Sequence, residues 1–114
     1  MKKLALHISS EALSDLEEIW IYTRKKWSKE QADRYYAFLI DDIEFLQSNY
    51  YMGKSAEFIR PGYRVSFVKS HIIFYKIVEN QKLEVIRILH QNVNIDNLSS
   101  IINLLNINKI TVIN

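Results

Sequence analysis

An α+β fold, a two-helix antiparallel hairpin packed on an antiparallel sheet in the order β-α-α-β-β-β, is predicted by three observations. Two amphipathic stretches at helical spacing adjoin at Trp27 and Ser28 with almost no loop between them. Three β-type segments crowd into residues 60–90, and a short alternating stretch opens the chain. Helices with one apolar stripe and a sheet with an apolar face bury both by packing together. The 114 residues suffice for one such core and not two.

Leu4, Leu6 and Ile8 alternate with Ala5 and His7, the period-2 pattern of a strand. Ser9 and Ser10 then offer an N-cap, with Glu11 and Asp15 placed where the helix dipole favours negative charge. Leu13, Leu16, Trp20 and Trp27 recur at helical spacing, widened by Ile19 and Thr23, so a helix runs to about residue 26. The serine and glutamine of Ser28-Lys29-Glu30-Gln31 fit a capping box that starts a second helix. Its seam is Ala32, Tyr36, Leu39, Ile43 and Leu46, and Gly53 is expected to close it in a left-handed conformation. Residues 54–61 read as an irregular link and Pro61-Gly62 as a turn. Residues 63–69 alternate as a strand, with Tyr63, Val65 and Phe67 on one face. The nearly continuous apolar run 72–78 is a central strand, and residues 83–90 form the last one.

Composition narrows the function classes. There is no cysteine, which excludes disulfides, thiolate metal sites and cysteine nucleophiles. His7, His71 and His90 lie far apart in sequence without metal-ligand spacing, so no metal and no cofactor are expected. No apolar run approaches the ~20 residues that cross a bilayer, and the N-terminus lacks a signal-peptide core. A cytoplasmic protein with no membrane and no small-molecule substrate is the reading. The net charge of +2 is too small for bulk nucleic-acid binding, so basic function must come from local clusters.

Residues 1–96 are read as the folded domain and 97–114 as an extension. The extension carries five asparagines and one charge, Lys109, among many isoleucines and leucines. Leu98, Ile101, Ile102 and Leu105 suit a short helix, and residues 107–113 alternate loosely. A segment this apolar is expected to pack on its own domain or on a partner.

Taken in order, several motifs resemble the RelE/ParE superfamily of bacterial toxins, and within it the ParE branch. They are Ala12-x-x-x-Leu16-x-x-Ile19-Trp20-x-Tyr22, Trp27-x-x-x-Gln31-Ala32-x-x-Tyr35, Gly62-Tyr63-Arg64, His71-x-Ile73-Phe74-Tyr75 and Ile86-Arg87-Ile88-Leu89-His90-Gln91. The resemblance spans roughly residues 4–95. It implies the toxin of a type II toxin–antitoxin system, restrained by a ParD-like antitoxin. ParE-like members are associated with inhibition of DNA gyrase and RelE-like members with ribosome-dependent mRNA cleavage, two activities on one fold.

For RelE-type cleavage the resemblance leaves Arg64 as a phosphate contact and His90 as an imidazole, without a lysine pair or second base. Gyrase inhibition needs neither acid nor base. The exposed cations expected at a target are Arg60, Arg64, Lys69, Lys76 and Arg87, with His71 and His90. Trp20, Trp27 and Tyr35 are the expected antitoxin contacts, although tryptophans at helical spacing also suit core packing. Arg64 and Arg87 equally suit bonds across the sheet or to Glu84 or Asp42, and His90 a bond to backbone. The sequence departs from the family at Asn92 and Asn94, where an arginine and an aspartate are common, and at Tyr50 in place of a proline. The first departure touches a region tied to toxicity, so an attenuated, non-toxic interaction module is a further alternative.

Overall fold

The computed structural model describes residues 2–93, within which two helices pack on a five-stranded sheet. The expected extension at 97–114 lies outside the described residues. In chain order the elements are β1 (Ala5–Ile8), α1 (Ser10–Lys26), α2 (Lys29–Ser48), β2 (Lys54–Ser55), β3 (Arg64–Val68), β4 (His71–Val78) and β5 (Lys82–His90). The strands lie in the order β1-β5-β4-β3-β2.

The predicted α+β order holds, but the sheet is mixed. β1 pairs parallel with β5, with Ala5 opposite Lys82 and Ile8 opposite Val85, whereas the other pairings are antiparallel. The helix hairpin is a crossover that returns the chain to the far side of the sheet. A crossover allows parallel pairing where a tight turn would not. The link read as irregular contributes β2, two residues added at the β3 edge.

Local chemistry sets the helix ends. Ser9 caps α1 by accepting from the Ala12 N–H at 3.0 Å, and its hydroxyl donates to the Ile86 carbonyl at 2.7 Å, pinning the helix start to β5. Ser28 accepts from the Gln31 N–H at 3.1 Å, so α2 begins two residues after α1 ends. At the other end of α2, the Gln47 amide donates to the Leu4 carbonyl and the Leu4 N–H to the Gln47 carbonyl, both at 2.8 Å. Glu79 and Asn80 both have positive φ, as the tight turn between β4 and β5 requires.

Each sheet face carries its own apolar cluster. On the helix side, Leu16, Leu39, Ile43 and Leu46 meet Ile73, Tyr75, Leu83, Val85 and Ile88. On the other side, Val65, Ile72, Phe74 and Leu89 are covered by Ala56, Ile59 and Tyr63 from the loop before β3. A register shift between Phe74 and Tyr75 lets Val85 and Ile88, three residues apart, both join the helix-side cluster.

Three expectations need correction. Gly53 is not left-handed, Gly62 being the glycine with positive φ. Gly53 is required instead because a Cβ there would lie 2.2 Å from the Tyr75 hydroxyl and 2.7 Å from the Val65 carbonyl. The buried face of α1 is Ala12, Asp15 and Leu16, whereas Leu13 and Trp27 are exposed. The helix is rotated relative to the expected stripe because Asp15 is drawn inward by polar partners on β5. Phe67, expected to share the burial of Tyr63 and Val65, is 51% exposed at the uncovered end of its face.

Candidate functional site

A cleft of about 570 Å³ opens between the C-terminal half of α1 and the ends of β4 and β5. Ile19, Tyr22, Lys26 and Trp27 form one wall, with Tyr35 of α2 and Ser70, His71, Arg87 and His90 opposite. Trp27 and Tyr22 are 67% and 61% exposed, although they are large and apolar. The helix corner explains this: Trp27 is the C-cap of α1, its N–H bonded to the Thr23 carbonyl, with no room left to turn inward before α2 starts.

The floor is a polar chain across three elements. The Tyr35 hydroxyl accepts from the Ser70 N–H at 3.0 Å and lies 2.7 Å from His71 Nδ1. The Tyr35 hydroxyl, which accepts from Ser70, has its own proton to give to Nδ1; that arrangement puts the His71 proton on Nε2, an assignment made from the bonding network and not observed. Burial and the neighbouring His90 hold the His71 pKa down to about 4, so this ring is neutral at pH 7. The two imidazoles face each other across the β4–β5 register, edge to face with centroids 5.2 Å apart. His90 Nδ1 accepts from the Asn92 N–H at 3.1 Å, the strand-end bond to backbone that was one expectation for it.

Asp15 and Arg87 form the inner wall. The Asp15 carboxylate accepts from Arg87 Nε at 2.8 Å, from Arg87 Nη2 at 2.9 Å and from the Ile88 N–H at 2.9 Å. This occurs where β1 has ended and β5 has lost its parallel neighbour, so a side chain takes the place of a strand. The bond to Asp15 holds the Arg87 guanidinium still more firmly protonated.

The expected site residues therefore separate. His71, Arg87, His90, Trp27 and Tyr35 come together in the cleft. Arg64 does not: its guanidinium donates to the carbonyls of Tyr51, at 3.0 Å, and Gly53, fastening the turn after α2. Arg64 is paired with Tyr75 in register, four residues along β4 from His71, which is about 13 Å at the strand rise. Arg60 sits in the loop over the other sheet face. Lys69 lies at the β3–β4 turn with its Nζ 4.5 Å from the centre of the Phe38 ring. Trp20 is outside the cleft, its indole donating to Asp33 at 2.9 Å across the helix pair. Lys76 meets Glu84 at 3.4 Å, and His7 meets the same carboxylate group at 3.2 Å.

Sequence reasoning missed Asp15 as a site residue, reading it only as a dipole-favoured acid. The available signal was its place beside Leu16 on the apolar stripe. Among the described residues no group of three or more His, Asp or Glu side chains is arranged to hold a metal, and no helix is long and apolar enough to cross a membrane.

Comparison with known proteins agrees across sequence and fold. The family model described as ParE toxin of type II toxin–antitoxin system, parDE, matches residues 6–95. The chain is 36% identical over 89 residues to Toxin ParE1 of Mycobacterium tuberculosis, covering 78% of this chain and 91% of that protein. It is 38% identical over 87 residues to Toxin ParE1 of Caulobacter vibrioides, covering 76% and 88%. A chain of the chromosomal ParDE system from P. aeruginosa superposes with a TM-score of 0.67 over 77% of this chain and 96% of that one. At 20% identity, that likeness concerns the fold.

Proposed function

The chain belongs to the ParE toxin family of type II toxin–antitoxin systems, and from that premise we propose that it acts by occupying a protein surface, with DNA gyrase as its target and a ParD-like antitoxin as its restraint. The observation that carries a binding mode over RNA cleavage is the separation of Arg64 from His90. Cleavage needs a cation on the scissile phosphate beside the acid–base groups. Here Arg64 is spent on backbone carbonyls, and its register partner Tyr75 lies four residues along β4 from the imidazole pair. Arg87, which lines the cleft with the pair, is held by Asp15.

The antitoxin reading rests on the cleft. Exposed Trp27 and Tyr22 suit the apolar side of an amphipathic helix laid between α1 and β5, and Lys26 at the rim favours acidic residues on that helix. Arg60, Lys69 and the cleft residues His71, Arg87 and His90 remain the proposed target contacts.

Purified protein assayed with gyrase is expected to block supercoiling or accumulate cleaved DNA, and to leave mRNA intact in a translating extract. Cleavage of mRNA that is lost in His90→Ala would overturn the binding mode. Unimpaired growth when the toxin is expressed without its antitoxin would instead identify an attenuated module.

A further inference from the structure

The sheet face turned away from the helices is only partly covered. A cross-strand row of Leu89, Ile72 and Phe67 runs from β5 through β4 to β3, and Phe67 at its end is 51% exposed. Phe58, from the covering loop, is 56% exposed. The two phenylalanines line a groove of about 390 Å³ that also includes Val65 and Phe74. Two large aromatic rings left in water beside an apolar groove call for a cover.

The chain itself leads there. Val93, near the end of the described residues, packs against the cluster holding Ile72, Phe74 and Leu89, so the chain leaves β5 on this face. Beyond it Leu98, Ile101, Ile102 and Leu105 stand at the spacing of one helical stripe, with serine and asparagine between them. The family match stops at residue 95, so this segment is an addition to the shared body. Residues 97–108 carry no charge, which suits a groove whose lining, among the described residues, has Lys54 as its one cation; an acidic partner would find little there to pair with.

We propose that residues 98–105 dock in the groove beside Phe58 and Phe67, as a cover that this chain supplies for its own sheet. The reach is sufficient. From Leu89 to Phe67 is two strand spacings, about 10 Å, and the four residues 94–97 span up to about 13 Å when extended. The tether also supplies an effective concentration on the order of millimolar, so modest apolar contacts hold the segment down.

The absence of cysteine makes the test direct. In the full chain, the pair Lys54→Cys and Asn103→Cys is expected to form an intrachain disulfide, seen as faster migration without reductant at low micromolar protein. The control pair Glu44→Cys and Asn103→Cys, with Glu44 on the exposed side of α2, is expected to remain open. Adding Phe58→Ser and Phe67→Ser should lower the Lys54–Asn103 yield several-fold. Equal yields for the two pairs, exclusively interchain bonds, or a yield indifferent to the phenylalanine changes would each overturn the proposal. Truncation after Asp96 is expected to lower the melting temperature, and an unchanged transition would count against docking.

Discussion

Replacing Asp15 by alanine tests the inner wall of the cleft and the join between α1 and β5 together. The carboxylate is 10% exposed and its partner Arg87 17%. Its removal takes two hydrogen bonds from a mostly buried guanidinium and one from the Ile88 N–H at once. Breaking one side of a buried ion pair costs about 3–5 kcal/mol, and an orphaned buried N–H about 1–3 kcal/mol. These overlap, and the residual exposure of Arg87 lets water relieve part of the charge, so a loss of about 3 kcal/mol is expected. For a domain near this size that lowers Tm by about 12–20 °C. Urea unfolding of Asp15→Ala, Arg87→Met and the double variant gives the coupling energy. The double variant should recover part of the loss, since no charge is left without a partner, yet stay below the parent because Ile88 still lacks its acceptor. A single-variant cost under about 1 kcal/mol, typical of an exposed pair, or a coupling energy near zero, would refute the reasoning.

Other outcomes follow from the same structure. Gly53→Ala forces a Cβ onto the Tyr75 hydroxyl and the Val65 carbonyl, which should destabilise by about 1–3 kcal/mol in chemical denaturation; adding Tyr75→Phe should restore only part, because the backbone contact persists. Trp27→Ala should change stability by less than about 0.5 kcal/mol while weakening antitoxin binding by about 2 kcal/mol or more in titration calorimetry. The depressed His71 pKa means that the unfolded chain binds this proton more readily than the folded one. Its contribution is therefore full above about pH 6.5 and is lost as pH falls toward 4. The burial-raised Asp42 carboxyl works in the opposite sense near the bottom of that window. Urea midpoints measured between pH 7 and 4 should fall less steeply in His71→Phe than in the parent.

What the sequence reveals is what local periodicity and capping can encode. Ser28 and Gln31 mark the start of α2 because the cap is made within four residues, and the run 72–78 announces a central strand because both its faces are apolar. The pairing of β1 with β5 is invisible to such patterns, since alternation shows that residues 4–8 form a strand and not which neighbour they choose. The same limit applies to the site. Tyr35, His71 and His90 meet only once α2 and two strands are in place, and nothing near Arg64 in sequence shows that its partners are carbonyls eleven and thirteen residues upstream. Trp27 misleads for a different reason: its spacing continues the helical stripe, but the abrupt start of α2 leaves it on the corner.

The parallel pairing of the first strand with the last also governs when this protein comes into being. In the described structure the sheet partner of β1 is β5, and the helix-side core requires Leu83, Val85 and Ile88. During synthesis the helices and the β3–β4 hairpin emerge with no closed core to join, because contacts so distant in sequence form late. The cleft is absent from the nascent chain, since its inner wall is β5. Anything that recognises the finished cleft can therefore meet it only after β5 has been made and has joined the sheet.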